Sequence, residues 1–89
     1  MYSYEIKPSL QKILKKLSKK NNQLYEQVLK KIQEILTCEN VEHYKNLRHD
    51  MKDSKRVHVG HFVLIFNYEK NSGLISFEDL GHHDDIYKR

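Results

Sequence analysis

The hydrophobic positions of this chain change period along its length, and each period predicts an element. Tyr2, Tyr4 and Ile6 alternate with Ser3, Glu5 and Lys7, the two-residue period of a short half-buried strand. Pro8 and Ser9 then mark a helix start, as an early helical position and a capping residue. Leu10, Ile13, Leu14 and Leu17 recur at helical spacing, one stripe on a helix that ends near the break at 19–22. A second helix is predicted over 23–36, with Leu24, Val28, Ile32, Ile35 and Leu36 on one face. The polar link between the two helices is short, so they should form an antiparallel hairpin.

The second half reads differently. Val57, Phe62, Leu64 and Phe66, then Leu74, Ile75, Phe77 and Leu80, are β-branched or aromatic positions of strand type. Asn71-Ser72-Gly73 is a turn signal, and Val59-Gly60 reads as a second tight turn. The predicted order is β-α-α-β-β-β over one domain, 1–89. This is an α+β fold with an N-terminal strand and a two-helix hairpin on one face of a small antiparallel sheet. With Val59-Gly60 as the turn, His58 and His61 stand opposite each other and share a face. Alternation adds Arg56 to that face and sends Val57, Phe62, Leu64 and Phe66 to the other. Two imidazoles and a guanidinium side by side are costly unless an anion visits them.

Composition narrows the function classes. With 89 residues, the chain has room for one small core and none for a separate cofactor-binding module. One Cys excludes an internal disulfide framework and makes a reducing compartment the default. Cys38 itself reads as a spectator thiol. The longest apolar run, 62–66, is far short of the roughly 20 residues of a membrane span. The opening MYSYEIKPS carries no apolar signal core, so the expected location is cytoplasmic, with no membrane partner.

The net charge of +4 hides a division. Through Leu36 there are eight Lys against three Glu, a balance of +5, and from Thr37 onward eight basic residues against nine acids, a balance of −1. All six His (His43, His49, His58, His61, His82 and His83) lie in that second part. The Lys set of the first helix, Lys12, Lys15, Lys16, Lys19 and Lys20, is either a solvated face or a phosphate-binding face.

Imidazole can take a proton from a ribose 2′-hydroxyl and give one to a leaving 5′-oxygen. Arg and cationic imidazole can stabilise the phosphorane-like transition state between those events. The His set therefore suffices for RNA cleavage by internal transesterification without a metal. On composition alone, scattered surface histidines are the simpler account. Metal ligation is the rival chemistry, since His82 to Asp85 supply ligands and His58 and His61 could add more. No CxxC or HExxH spacing supports it, so no metal or cofactor is expected.

The segment Ser54-Lys-Arg-Val-His-Val-Gly-His-Phe-Val-Leu-Ile-Phe66, followed by Phe77-Glu-Asp-Leu-Gly-His-His-Asp-Asp-Ile-Tyr87, resembles the RelE/ParE toxin superfamily. The order of elements matches across nearly the whole chain. Gly81-His82-His83-Asp84-Asp85-Ile86-Tyr87 is similar to the Gly-x-His-x-Asp-Leu-Phe ending of YafQ-type toxins. Leu47-Arg48-His49-Asp50 and the step ending at His58 resemble the same group. The resemblance implies the toxin of a type II toxin–antitoxin system. Its activity would be that of a metal-independent mRNA endoribonuclease acting in the ribosomal A site and inhibiting translation. It implies as partners the ribosome, its mRNA and a cognate RelB-type antitoxin, in a heterotetramer or similar complex.

By the same resemblance His49 is the base and His83 the acid. His58 sits near the scissile phosphate, Tyr87 orients or stacks on the message, and Arg56 stabilises transition-state charge. Lys52 and Lys55 join Lys12, Lys16 and Lys19 as RNA-binding candidates. Two positions depart from the pattern. Val63 stands where RelE proper carries an Arg in its Tyr-Arg-Leu-Val-Tyr strand, and His61 stands where YafQ-type toxins carry an acid. His61 is therefore cast as a substitute for the missing Arg charge. Two alternatives remain on the same fold: a ParE-like gyrase poison, and a catalytically weak RNA- or protein-binding member.

Overall fold

The computed structural model describes residues 2–45 and 54–87. Strand β1 (Ser3–Ile6) leads into helices α1 (Pro8–Lys20) and α2 (Asn22–Thr37), then a single 3-10 turn at Val41–His43. Strands β2 (Ser54–Val59), β3 (Phe62–Glu69) and β4 (Leu74–His82) follow, and a short helix α3 (His83–Tyr87) closes the described chain. Among the described residues no helix is long and apolar enough to cross a membrane.

Asn21 makes both ends of the helical hairpin. Its backbone N–H donates to Leu17 O at 2.8 Å and closes α1, while its side-chain oxygen accepts from Leu24 N at 3.2 Å and opens α2. Asn is among the preferred N-caps because its short side chain satisfies an otherwise orphaned N–H. At the start of α1 the sequence expectation needs correcting. Lys7 is the N-cap residue and makes no side-chain capping bond, with Pro8 in the first turn. Ser9 instead donates its hydroxyl to Glu78 O on β4 at 3.1 Å.

The sheet order is β1-β4-β3-β2. β2, β3 and β4 form an antiparallel meander, but β1 joins β4 in parallel, Tyr4 beside Ile75 and Ile6 beside Phe77. The sheet is thus mixed rather than wholly antiparallel. The alternation of Tyr2, Tyr4 and Ile6 marks the strand's apolar side, of which Tyr2 and Ile6 pack on the core while Tyr4 stays 54% exposed, and it carries no information about a neighbour's direction. The helices cover one face. Leu10, Val28, Ile35 and Val41 meet Leu64, Phe66, Ile75 and Phe77, all fully buried.

Phe77 and Leu80 are three residues apart, yet both face this core. A register shift between Ile65 and Phe66 makes that possible: Phe66 pairs with Phe77 and Ile65 with Asp79, leaving Glu78 extra. A bulge of this kind leaves one residue outside the ladder. The Glu78 carbonyl is the one that receives the Ser9 hydroxyl.

The β2–β3 turn falls one residue later than expected, at Gly60-His61, with Val59 paired to Phe62 and His58 to Val63. Gly60 has φ +62°, as the first central residue of a primed hairpin turn requires. A turn on Val59-Gly60 would have pressed a positive φ on a β-branched residue. The observed register keeps Val59 extended and buried.

Candidate active site

The alternation of β2 sorts its residues by face. Lys55, Val57 and Val59 pair with Phe66, Leu64 and Phe62 and point toward the helices. Arg56 and His58 pair with Ile65 and Val63 on the opposite, open face. In the next strand Asp79 and Gly81 continue these two rows. The predicted face for Arg56 and His58 is therefore the observed one.

α3 begins immediately after β4 and folds over the open face. His83 N donates to His61 O at 2.9 Å. Ile86, 3% exposed, buries itself against Val63 and Ile65 in a small cluster separate from the main core. That anchor places His83 beside His58, with ring centres 5.5 Å apart and planes inclined by 25°. The Arg56 guanidinium donates toward His58 Nε2 at 3.4 Å. Asp84 flanks both terminal imidazoles, with Oδ1 3.6 Å from His83 Nδ1 and Oδ2 4.0 Å from His82 Nδ1. The result is an exposed pair of imidazoles with a guanidinium at one side and a carboxylate at the other. Such a set can exchange protons with a bound anion and neutralise charge that develops on it.

Other predicted residues fall elsewhere. His61 does not face His58. It occupies the turn, and its ring stacks near that of His82, centres 6.4 Å apart, because the one-residue shift of the turn removed it from the ladder. Lys55 is not on the open face with Arg56 and His58. It is 6% exposed, and its ammonium donates to Tyr44 O at 3.3 Å. Lys12, Lys16 and Lys19 are exposed on α1, in the helical layer, on the other side of the sheet from the His58–His83 pair. Tyr87 ends α3, one helical turn beyond His83. His49 and Lys52, with Leu47, Arg48 and Asp50, lie outside the described residues. Among the described residues no three His, Cys, Asp or Glu side chains gather into a metal-binding group.

The sequence reading missed Ile86, whose apolar side chain three positions after His83 is what holds α3 down. That i, i+3 relation was available in the ending His-Asp-Asp-Ile. It also missed Asp84 as the shared neighbour of the last two histidines.

Residues 4–87 match the family model for the ParE toxin of the type II toxin–antitoxin system, parDE. The chain belongs to this family, and it is a toxin of RelE/ParE type from a toxin–antitoxin system. It is 50% identical over 90 residues to a Methanocaldococcus jannaschii protein named "Putative toxin RelE4", covering 100% of this chain and 94% of the relative. An uncharacterized protein of Methanosarcina mazei is 44% identical over 88 residues, covering 98% and 100%. The crystal structure of the isolated E. coli RelE toxin superposes with a TM-score of 0.68 at 18% identity, over 100% of this chain and 98% of that one. At that identity the likeness is one of fold.

Proposed function

We propose that this toxin is an endoribonuclease that cleaves mRNA on the ribosome, in the cytoplasm, and is silenced by a RelB-type antitoxin. The observation that carries the reading is the His58–His83 pair with Arg56 beside it on the open face of the sheet. In the proposed step a base removes the proton of a ribose 2′-hydroxyl, and the 2′-oxygen attacks the adjacent phosphorus. The P–O5′ bond breaks, and an acid delivers a proton to the departing 5′-oxygen. The products are a 2′,3′-cyclic phosphate and a free 5′-hydroxyl. His83 is the proposed acid and His49 the proposed base, while His58 and Arg56 flank the scissile phosphate. Tyr87 is proposed to pack on the message, and Lys12, Lys16 and Lys19 to meet ribosomal RNA. No metal enters the step.

The test is to add purified protein to translating ribosomes and map message ends. Cleavage with cyclic-phosphate ends is expected, falling roughly 10²-fold or more in His83→Ala. An imidazole acid–base pair should also give a rate that rises and then falls across about pH 5–8. Intact message under all conditions would sink the reading. A second reading, a gyrase poison, is favoured by one observation: the matching family model describes a ParE toxin. Inhibited supercoiling with uncut message would select it.

A further inference from the structure

β2 is an edge strand, and its outer edge adjoins α2. Between them lies a cleft of about 410 Å³ lined by Gln27, Lys30, Lys31, Glu34, His58, Val59 and Gly60. His58 thus borders two spaces, the open face it shares with Arg56 and His83 and this cleft around the strand's edge. The charges in the cleft are unbalanced. Among the described residues that line it the one acid, Glu34, is paired with Lys31 at 2.8 Å, and Lys30 is exposed on α2.

The backbone adds a donor. Arg56 N–H points away from β3 and donates to Lys45 O at 2.9 Å. In an antiparallel pair, residues two apart direct their N–H groups the same way, so His58 N–H also points to the outer edge. An ammonium, a carboxamide and a strand-edge N–H around one small cleft are the donor set for a phosphodiester.

We infer that the α2–β2 edge cleft is a second phosphate subsite, in which Lys30 and the His58 N–H hold the nucleotide next to the one on the open face. A single RNA strand would then bend around the β2 edge and meet His58 twice, once through its imidazole and once through its backbone. The inference rests on the proposed RNA substrate and extends it to the neighbouring nucleotide. Lys30 is here a binding residue remote from the reacting atoms.

The experiment measures binding apart from cleavage. A single-stranded oligoribonucleotide methylated at every 2′-oxygen is titrated by fluorescence anisotropy across a salt series. The proteins are wild type, Lys30→Ala, Lys30→Glu and Lys70→Ala. Lys70 lies in the distant β3–β4 turn, paired with Glu42 at 3.6 Å, and controls for lost charge alone. Loss of one phosphate contact should lower the slope of log K against log salt by about 0.7 in Lys30→Ala. Lys30→Glu should bind more weakly still, and Lys70→Ala should match wild type. On ribosome-bound message Lys30→Ala should raise KM and leave kcat unchanged. No affinity for the oligonucleotide, or equal slopes in Lys30→Ala and Lys70→Ala, would overturn the subsite. Absent cleavage with an intact Lys30 effect would overturn the nuclease reading and leave the subsite standing.

Discussion

The rings of His58 and His83 lie nearly parallel, centres 5.5 Å apart, though one belongs to the edge strand β2 and the other opens α3. Their meeting depends on two separate devices. The β2–β3 register puts His58 on the open face, and the Ile86 anchor brings α3 back over it.

If the two imidazoles work on one phosphate, their losses will not multiply. His58→Ala and His83→Ala should each cost about 10²-fold or more in cleavage rate. The double variant should cost far less than the product, since residues acting as a unit are non-additive. Both side chains are exposed, so melting should shift little. Multiplicative losses in a single-turnover assay would mean independent roles.

Ile86→Ala should impair activity without touching substrate. The residue is 3% exposed in a cluster of three, so truncation should cost about 2 kcal/mol, the low end for a buried Ile. The cost should appear as local opening of α3. Hydrogen exchange should accelerate there, the cleavage rate should fall, and Ile86→Leu should recover most of it. Unchanged exchange across α3 would contradict the anchor.

Gly60→Ala should destabilise by about 1–2 kcal/mol, the cost of a left-handed conformation for an L-residue. An added Cβ at Gly60 would meet nothing within 4 Å, so the penalty is conformational rather than steric crowding. Gly60→Asn should lose less, because Asn tolerates positive φ. Urea midpoints of the three proteins will give the order.

At the far edge of the sheet, Ser76 donates its hydroxyl to Glu5 at 2.7 Å and Lys7 lies 3.1 Å away. These neighbours, Ser76 first, hold the Glu5 carboxyl below the ordinary carboxylate range. A depressed folded-state pKa means stability that is present above the unfolded value and lost as pH falls through the folded one. Glu5→Gln should therefore remove a stabilisation at neutral pH that solvent screening keeps small, and flatten the matching part of the stability decline below about pH 4.5. Identical acid-unfolding curves would refute this.

The two helices were legible because Leu10 to Leu17 and Leu24 to Leu36 keep one period over several turns. The faces of β2 and β3 were legible for the same reason. What the sequence could not supply was relation between elements. The alternation of β1 has no direction, so its parallel pairing with β4 had to be seen. A turn containing one Gly could close at either of two positions, and the difference moved His61 away from His58. Lys55 looked like one more surface cation because burial of its ammonium depends on the Tyr44 carbonyl, which comes from another segment. The open-face cluster was partly legible. Arg56 and His58 followed from alternation and His83 from the resemblance, but the part of Ile86 in joining them did not.

The bulge at Glu78 gives β4 a spare residue on one side of the site and none on the other. Deleting Glu78 would regularise the ladder and turn no side chain over, since Phe77 and Asp79 already pair with consecutive residues of β3. It would remove only the carbonyl that Ser9 uses. One residue inserted between Leu80 and His83 has no such slack to absorb it. It would bring α3 off the sheet half a pleat out of phase and carry His83 away from His58. For this chain, length variation should be forgiven at the Glu78 bulge and penalised between Leu80 and His83.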